Sequence, residues 1–327
     1  MEYRQLGRTG TRVSELCLGT MTFGNEADEA TSRQIVDRFV DAGGNFVDTA
    51  NVYSQGVSEE ITGRAIAGKR DQIVVATKAR FAMGGDTNSV GSSRRNLRAA
   101  CEASLRRLGT EWIDLYQLHM WDKHTPLEET LSTLDDLVRE GKVRYVGASN
   151  YAGWHLAKAL GVSALHNWEP FVCLQPEYSL ITRDAERELI PLCRSEGLAV
   201  IPWSPLGGGI LTGKYQKGAD FPTGTRGGDT ENPITFTYRL DDRAWNIVDA
   251  VKDAAATTGK SAAQISLNWV LHRRGVTAPI IGARNLTQLE DNLGAVGWEL
   301  DDETAKAINW ASAFRLGYPY EFIQYAG

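Results

Sequence analysis

Short apolar runs alternate with longer helical patterns along the whole of this 327-residue chain. The short runs are rich in residues that favour strands, and the longer segments repeat apolar residues at i, i+3 and i+4, which is typical of helices with one buried face. Strands are predicted over residues 15–18, 45–48, 73–77, 113–118, 143–148, 171–175, 199–202 and 278–281. Helices are predicted over residues 31–41, 58–67, 92–108, 127–140, 152–160, 184–196, 242–257 and 262–271.

The alternation predicts a parallel sheet, and eight strands are the number that closes a (β/α)8 TIM barrel. An open doubly wound sheet is the alternative. The polar opening is compatible with a β-hairpin, and the helices at 242–257 and 262–271 are two extra helices before the eighth strand. Residues 207–240 are rich in Gly, Pro and Thr without a period, which predicts a long functional loop. We expect one domain over 1–327, because barrels of this length occur as single domains.

Composition narrows the possible partners. The 41 acidic and 35 basic residues give a net charge of −6, which offers no field to attract nucleic acid or an anionic membrane. The N-terminus lacks the apolar core of a signal peptide, and no apolar run approaches the roughly 18 residues of a membrane span. The four cysteines form no CxxC pair, so we expect reduced thiols in a cytoplasmic protein.

Several familiar motifs are missing. No GxGxxG fingerprint for a dinucleotide follows an early strand, and residues 208–214 resemble a phosphate loop in which Tyr215 replaces the hydroxyl that holds magnesium. The five histidines include no HExxH pair, and His119 and His124 lack the spacing of two ligands on one helix turn. We therefore expect neither a nucleotide triphosphatase nor a metal site.

Polar residues stand at the carboxyl ends of the predicted strands. Asp48 ends the second strand, with Tyr53 five residues later. Lys78 and His119 follow the third and fourth strands. A lone charge at a strand end is usually a solvated loop residue, but the strand ends of a TIM barrel meet around one mouth, where catalytic groups lie. The later strands run into Ser149 and Asn150, Gln175, Trp203 and Ser204, and Gly282 and Arg284.

These residue types predict a specific chemistry. A free tyrosine has a pKa near 10 and is a poor proton donor at neutral pH. We expect the Lys78 ammonium to lower the pKa of Tyr53, while Asp48 holds the ammonium beside the ring. His119 would then bind the oxygen that is protonated, as a neutral imidazole N–H can.

The chain resembles the aldo-keto reductases over essentially its whole length, in particular the bacterial branch related to potassium-channel β subunits. The resemblance rests on motifs along the entire chain. They are YRQLGRTG at 3–10, LGTMTFG at 18–24, FVDTANVY at 46–53, GKVRYVGASN at 141–150, WSPLGGGILTGK at 203–214 and IGARNLTQLEDN at 281–292.

The resemblance implies that Asp48, Tyr53, Lys78 and His119 are catalytic and that Tyr53 is the general acid. It also implies NADPH extended over the barrel mouth, with its nicotinamide ring on Trp203, where the family more often has Tyr. Arg284 and Lys214 favour NADPH over NADH, because a guanidinium suits a 2′-phosphate; use of NADH stays open. Asp291 replaces a Glu that is frequent in the family. The other implied cofactor residues are Thr20, Met21, Asp48, Ser149, Asn150, Gln175, Ser204, Leu206, Gly208, Arg226, Gly282, Gln288 and Asn292.

Substrate walls in the family come from the loops after the strands, and here those loops are aromatic. The expected set is Phe23, Tyr53, Phe81, Met83, His119, Trp121 and, in a C-terminal substrate loop at 312–327, Tyr318 and Tyr320. Such a lining suits an aromatic aldehyde, a ketone or a sugar-like ring. The sequence therefore predicts reduction of an aldehyde or ketone to an alcohol, or the reverse oxidation. A cofactor-binding regulatory subunit is the first alternative, and a metal-dependent barrel hydrolase is the second.

Overall fold

The computed structural model describes residues 1–228 and 240–326. The chain opens with an antiparallel hairpin of strands β1 (Tyr3–Gln5) and β2 (Arg12–Ser14). Leu6 and Val13, at the turn end of this hairpin, are fully buried in the apolar cluster inside the barrel. The predicted hairpin is therefore confirmed, and it closes one end of the barrel.

Eight parallel strands follow in chain order around the barrel, each paired with the next. The last strand pairs with the first, and backbone hydrogen bonds from Thr277 N–H to Val200 C=O and from Ile280 N–H to Pro202 C=O, both 2.8 Å, join the seventh strand to the eighth. An open doubly wound sheet would reverse its strand order at a switch point, so the predicted (β/α)8 barrel is confirmed. The strands are β3 (Cys17–Gly19), β4 (Phe46–Asp48), β5 (Val74–Ala79), β6 (Ile113–Leu118), β7 (Val143–Ser149), β8 (Phe171–Gln175), β9 (Ala199–Val200) and β10 (Ile280–Gly282).

Helices surround the sheet, and side-chain caps set the starts of several of them. Asp28, Ser93 and Ser261 each accept a hydrogen bond from the backbone N–H of the residue three positions later. The described helices are α1 (Glu29–Asp41), α2 (Val57–Ile66), α3 (Arg94–Leu108), α4 (Leu127–Arg139), α5 (Gly153–His166), α6 (Leu189–Glu196), α7 (Asp242–Thr258), α8 (Ala262–Leu271), α9 (Leu286–Leu293), α10 (Asp302–Ala311) and α11 (Tyr320–Ala326).

The helix boundaries differ from prediction in three places. The helix predicted at 184–196 is a 3-10 turn, Asp184–Glu186, followed by α6, because Pro191 lies in the first turn of α6, where its missing N–H is not needed. The helix predicted to end at 160 continues through Gly161 to Asn167, which takes the left-handed cap conformation. Helices α9, α10 and α11 were not predicted.

The strands carry two different faces. Outward side chains such as Val47, Tyr116 and Leu174 form the core beneath the helices. Inward side chains form a separate apolar layer that includes Phe46, Ala76, Leu115 and Cys173. Because side chains alternate along a strand, the residues two positions further along each strand also point inward, one layer nearer the carboxyl end. These residues are Asp48, Lys78, Gln117 and Gln175.

The loop predicted at 207–240 begins with a 3-10 turn over Gly207–Thr212. Gly207, Gly208 and Gly209 all have positive φ angles, 57°, 68° and 95°, which glycine adopts without strain. Residues 229–239 of this loop lie outside the described residues, as does Gly327 at the end of the predicted substrate loop at 312–327. Among the described helices, none is long and apolar enough to cross a membrane.

Candidate active site

A buried ion pair lies at the centre of the barrel mouth. Lys78 Nζ is 2.5 Å from Asp48 Oδ2, and the two side chains are 0% and 2% exposed. The ammonium also donates to the backbone carbonyl of Thr49 at 2.9 Å. Burial by itself lowers the pKa of Lys78, but attraction to Asp48, with a contribution from Tyr53, outweighs it and raises the pKa. Lys78 is therefore a permanent cation at neutral pH.

Two glutamines complete the surroundings of Asp48. The Gln117 and Gln175 side-chain amides donate to Asp48 Oδ1 at 3.1 and 2.9 Å. Gly147 of β7 leaves room for this network, since a Cβ there would lie 2.5 Å from Cys173 Sγ and 3.2 Å from Gln117 Cγ. Both Asp48 oxygens thus have donors, as a buried carboxylate requires.

Tyr53 lies directly above the ion pair. It begins a 3-10 turn (Tyr53–Gly56) that follows β4, and its hydroxyl lies 3.2 Å from Lys78 Nζ. Burial raises the pKa of Tyr53 above its ordinary value, Lys78 opposes this, and Asp48 adds to the increase. The expected lowering of the Tyr53 pKa is therefore wrong for the protein alone, because loss of solvent outweighs the ammonium. The phenol stays protonated at neutral pH.

His119 stands across the mouth from Tyr53. The two rings meet edge to face with their centroids 5.8 Å apart, and Phe81 contacts the other side of the imidazole at 4.7 Å. Burial lowers the pKa of His119 well below its ordinary value, and the charges of Lys78 and Arg80 lower it further. The imidazole is therefore neutral, and its buried Nδ1 has no hydrogen-bond partner among the described residues.

The next strand ends form a hydrogen-bonded group beside this centre. Asn150, with a left-handed φ of 54°, donates to the carbonyl of His119 at 2.9 Å and accepts from Trp203 Nε1 at 3.2 Å. Ser149 Oγ donates to the carbonyl of Gln175 at 2.9 Å. The structure thus brings together Trp203, Ser149, Asn150 and Gln175, four of the residues that the resemblance implies for the cofactor.

The glycine-rich turn continues this edge of the mouth. Ser204 has a φ of 55°, and its hydroxyl accepts from the Gly208 backbone N–H at 3.0 Å. Lys214 lies against the turn, since a Cβ on Gly209 would be 3.1 Å from its Nζ. Leu206 precedes the turn and is half-buried. The result is a cation beside a compact turn whose three glycine amides are bonded within the turn, so the Lys214 ammonium is the group here that suits a pyrophosphate.

Arg226 and Arg284 meet at a third position on the rim. Arg284 lies 2.9 Å from Glu26 Oε1, and Arg226 lies 3.6 Å from Glu26 Oε2. Arg284 also donates to the carbonyl of Gly224 at 3.0 Å, which fastens the long loop to the end of β10. Arg226 Nε is buried without a partner among the described residues. Glu26, which the sequence did not single out, thus joins two of the predicted cofactor residues.

The remaining predicted cofactor residues are tied into the fold to different degrees. Asn292 donates to the carbonyl of Gly282 at 3.0 Å, and Gln288 accepts from the Arg284 backbone N–H at 3.0 Å. Asp291 accepts from Gln264 at 3.0 Å. Thr20 is fully buried, with its hydroxyl against Ser58 at 2.9 Å and its backbone N–H and C=O both bonded, so it offers no free group to a ligand in this structure. Met21 is half-buried after β3.

The predicted substrate residues separate into three groups. Phe81 lies beside His119, whereas Trp121 stacks on His155 at 4.0 Å with Tyr151 at its edge. Phe23 is fully buried in the core beneath the helices and offers no surface to a substrate in this structure. Tyr318 is 87% exposed, Tyr320 bonds to Glu188 through its hydroxyl, and Met83 lies in the loop after β5. Within residues 1–228 and 240–326, no group of three His, Cys, Asp or Glu side chains is arranged to hold a metal ion.

A (β/α)8 barrel with charged and aromatic side chains around the carboxyl ends of its strands defines the class of TIM-barrel enzymes. The sequence profile of the Aldo/keto reductase family matches residues 15–313. The chain therefore belongs to the aldo/keto reductase family, and it is an oxidoreductase.

Relatives in this family resemble the chain over nearly its full length. It is 41% identical to the uncharacterized oxidoreductase YrpG of Bacillus subtilis (strain 168), covering 94% of this chain and 95% of that one. It is 38% identical to norsolorinic acid reductase of Emericella nidulans, covering 96% and 82%. It is 32% identical to aryl-alcohol dehydrogenase [NADP(+)] of Phanerodontia chrysosporium, covering 97% and 88%.

Sequence reasoning missed three residues at the site. Gln117 could have been found, because it lies two residues before His119 on a strand whose alternation turns both inward. Glu26 carried no such signal, since its partners lie far along the chain. Arg80 could have been found in the same way as Gln117, because it lies two residues after Lys78 and alternation places both residues on the same face of the strand.

Proposed function

We propose that the protein reduces an aldehyde or ketone to an alcohol with NADPH, and catalyses the reverse oxidation, with Tyr53 as the general acid and base. The observation that carries the proposal is Lys78 Nζ, which contacts Asp48 at 2.5 Å and Tyr53 at 3.2 Å. A cofactor-binding site alone has no use for a buried ammonium that links a carboxylate to a phenol. The regulatory-subunit alternative is therefore not favoured.

The residues around the mouth fit NADPH. Lys214 lies beside the turn at Gly207–Gly209, and Arg226 Nε is a buried donor without a partner among the described residues. Trp203, Asn150 and Gln175 would hold the nicotinamide, and Lys214, Arg226 and Arg284 would hold the phosphates. When bound, NADPH supplies the hydride of the reduction. The NADP(+) in the name of the aryl-alcohol dehydrogenase relative supports this choice.

In the proposed reduction, the carbonyl oxygen lies between Tyr53 and His119. Neutral His119 donates an N–H to that oxygen and fixes its position. Tyr53 gives its phenolic proton to the same oxygen as negative charge develops there, and Lys78 stabilises the resulting phenolate. Asp48 holds the ammonium beside the phenol. In the oxidation, the phenolate takes the proton back from the alcohol.

A screen of carbonyl substrates tests this function. Purified protein with NADPH or NADH is mixed with aromatic aldehydes, aliphatic aldehydes, ketones and sugars, and the absorbance of the reduced nicotinamide is followed. We expect turnover of aromatic aldehydes, with NADPH preferred. Tight NADPH binding without turnover of any carbonyl would contradict the proposal and favour the regulatory subunit. The cytoplasmic location and the lack of a nucleic-acid or membrane partner stay predictions.

A further inference from the structure

Arg80 lies at the mouth on the same strand face as Lys78. Of the residues that flank Lys78 on β5, Thr77 points outward and donates to Glu59 of α2, and Ala79 lies in the outer core. Alternation therefore directs Arg80 to the side of Lys78, just beyond the end of the strand. Its φ of 133° is rare outside glycine, and its carbonyl is fixed by a 2.8 Å bond from the Gly91 N–H. Such strain is commonly kept at functional positions.

The Arg80 guanidinium has no hydrogen-bond or ion-pair partner in the described part of the chain. No carboxylate of the described residues lies within 4.0 Å of it, and its Nε is buried without an acceptor. Arg70 differs in this respect, since it is 2.7 Å from Asp114 and donates to two carbonyls. A buried donor without an acceptor is costly, so the Nε of this partly buried arginine lowers the stability of the protein.

The carboxylate of Asp122 is close enough to act on Arg80 electrostatically, but it is already bonded elsewhere. It accepts from the backbone of Ser92 at 2.7 Å and of His124 at 3.0 Å, and from the Thr125 hydroxyl at 2.7 Å. Against the effect of burial, these bonds and the charge of Arg80 lower the pKa of Asp122. Asp122 therefore stays ionised near Arg80 but does not bond to it, so the N–H groups of the Arg80 guanidinium remain available.

Arg80 also lies near His119, one of the predicted catalytic residues. The guanidinium carbon is 5.5 Å from the centre of the Phe81 ring, and Phe81 contacts His119 at 4.7 Å. The charge of Arg80 reaches the His119 imidazole. A cation, an aromatic wall and the imidazole thus stand together at the place where a substrate's carbonyl oxygen would lie.

We propose that Arg80 binds an anionic oxygen of the substrate, so that the preferred substrates are aromatic aldehydes or ketones that carry a carboxylate or a phenolate. This inference rests on the proposed function, whose carbonyl site lies between Tyr53 and His119. The guanidinium fork matches a carboxylate with two N–H donors and matches a phenolate with one. Phe81 supports the ring that joins the anion to the carbonyl.

Pairs of substrates that differ in charge but are similar in shape show whether Arg80 contacts an anion or has only a structural role. The carboxylate pair is 3-carboxybenzaldehyde and its methyl ester, and the phenolate pair is 4-hydroxybenzaldehyde, assayed above the pKa of its phenol, and 4-methoxybenzaldehyde. We expect wild type to prefer the anion of at least one pair. Arg80→Gln should raise KM for that anion by about 10- to 100-fold and change KM for its neutral partner and kcat less than twofold. Whichever pair responds identifies the oxygen.

Two further variants serve as controls. Arg80→Lys keeps the positive charge but not the guanidinium fork. Its KM for the anion should lie between that of wild type and that of Arg80→Gln. Arg139→Gln removes an exposed arginine that pairs with Asp135 along α4, and it should change neither KM. If Arg80→Gln does not fold, as judged by thermal unfolding, the comparison of Arg80→Lys with wild type on the same pairs decides, because loss of the fork alone should still raise KM for the anion.

The proposal is overturned if wild type shows no preference for either anion, or if an Arg80 variant raises KM equally for the anion and its neutral partner. Failure of the proposed function has a different signature, since no carbonyl would then be turned over. In that event, binding of 3-(hydroxymethyl)benzoate and of its methyl ester is measured by tryptophan fluorescence. Equal affinities for the acid and the ester in wild type would contradict the role of Arg80, and tighter binding of the acid that is lost in Arg80→Gln would support it.

Discussion

Lys78 Nζ lies 2.5 Å from Asp48 Oδ2 inside a barrel where neither side chain is more than 2% exposed. Both residues are held by strands: Asp48 ends β4, and Lys78 lies near the end of the adjacent β5. In the parallel register of these two strands, Asp48 pairs with Ala76, two residues before Lys78. The pair is thus set by the parallel register of two neighbouring strands. Its stability and its chemistry can be tested separately.

The ion pair should make single substitutions costly to the fold. Lys78→Met leaves the Asp48 carboxylate buried without a cation, so we expect the free energy of unfolding to fall by about 3–5 kcal/mol. The double variant Asp48→Asn with Lys78→Met removes both charges and should lose less than Lys78→Met alone. Urea unfolding of the three proteins measures this. A loss of less than about 1 kcal/mol in Lys78→Met would mean that the pair is not buried as described.

His119 should make the protein less stable in mild acid. Its folded-state pKa is lowered by burial, Lys78 and Arg80, while the unfolded chain takes the ordinary value of 6.5. Below that pH the unfolded state binds a proton that the folded state refuses, so stability falls as pH falls, by at most about 1.4 kcal/mol per unit. His119→Asn lacks this contribution and keeps its stability better between pH 7.5 and 5.5. Parallel losses for the two proteins in urea unfolding would show that His119 accepts the proton when folded.

Arg284 should distinguish the two nicotinamide cofactors. If it binds the 2′-phosphate, Arg284→Ala weakens NADPH by about 1.5–3 kcal/mol, the range of a hydrogen bond to a charged group. NADH lacks that phosphate and should bind almost unchanged. Quenching of tryptophan fluorescence measures both affinities, and an equal loss for the two cofactors would refute the phosphate contact.

Glu26 should hold the long loop against the rim. Glu26→Gln removes the carboxylate that lies 2.9 Å from Arg284 and 3.6 Å from Arg226. Arg284 keeps its bond to the Gly224 carbonyl, so we expect a loss of about 1 kcal/mol in loop closure and trypsin cleavage at Lys217 and Arg226 that is roughly fivefold faster. Glu290→Gln, which removes an exposed pair with Arg38, is the matched control. Equal cleavage rates in all three proteins would contradict the tether.

The sequence predicted the barrel because the strand and helix patterns that define it can be recognised in short segments of the chain. Asp48 and Lys78 end apolar runs whose alternation can be counted, and parallel strands then place their ends together. The pKa of Tyr53 could not be predicted, since its direction depends on how far burial outweighs one nearby ammonium. Glu26 and Arg284 contact each other only because the barrel joins its last strand to its first. Helices α10 and α11 were missed because they follow the last of the eight strand–helix units.

The central claim is that Tyr53 supplies the proton, and Tyr53→Phe tests it most directly. The change removes one hydroxyl and keeps the ring, so NADPH affinity should be nearly unchanged while kcat falls by about 10²–10⁴-fold, the usual contribution of general acid catalysis. Adding Lys78→Met should lower kcat little further, because the two residues act as a unit. If Tyr53→Phe turns over every accepted carbonyl as fast as wild type, Tyr53 is not the acid.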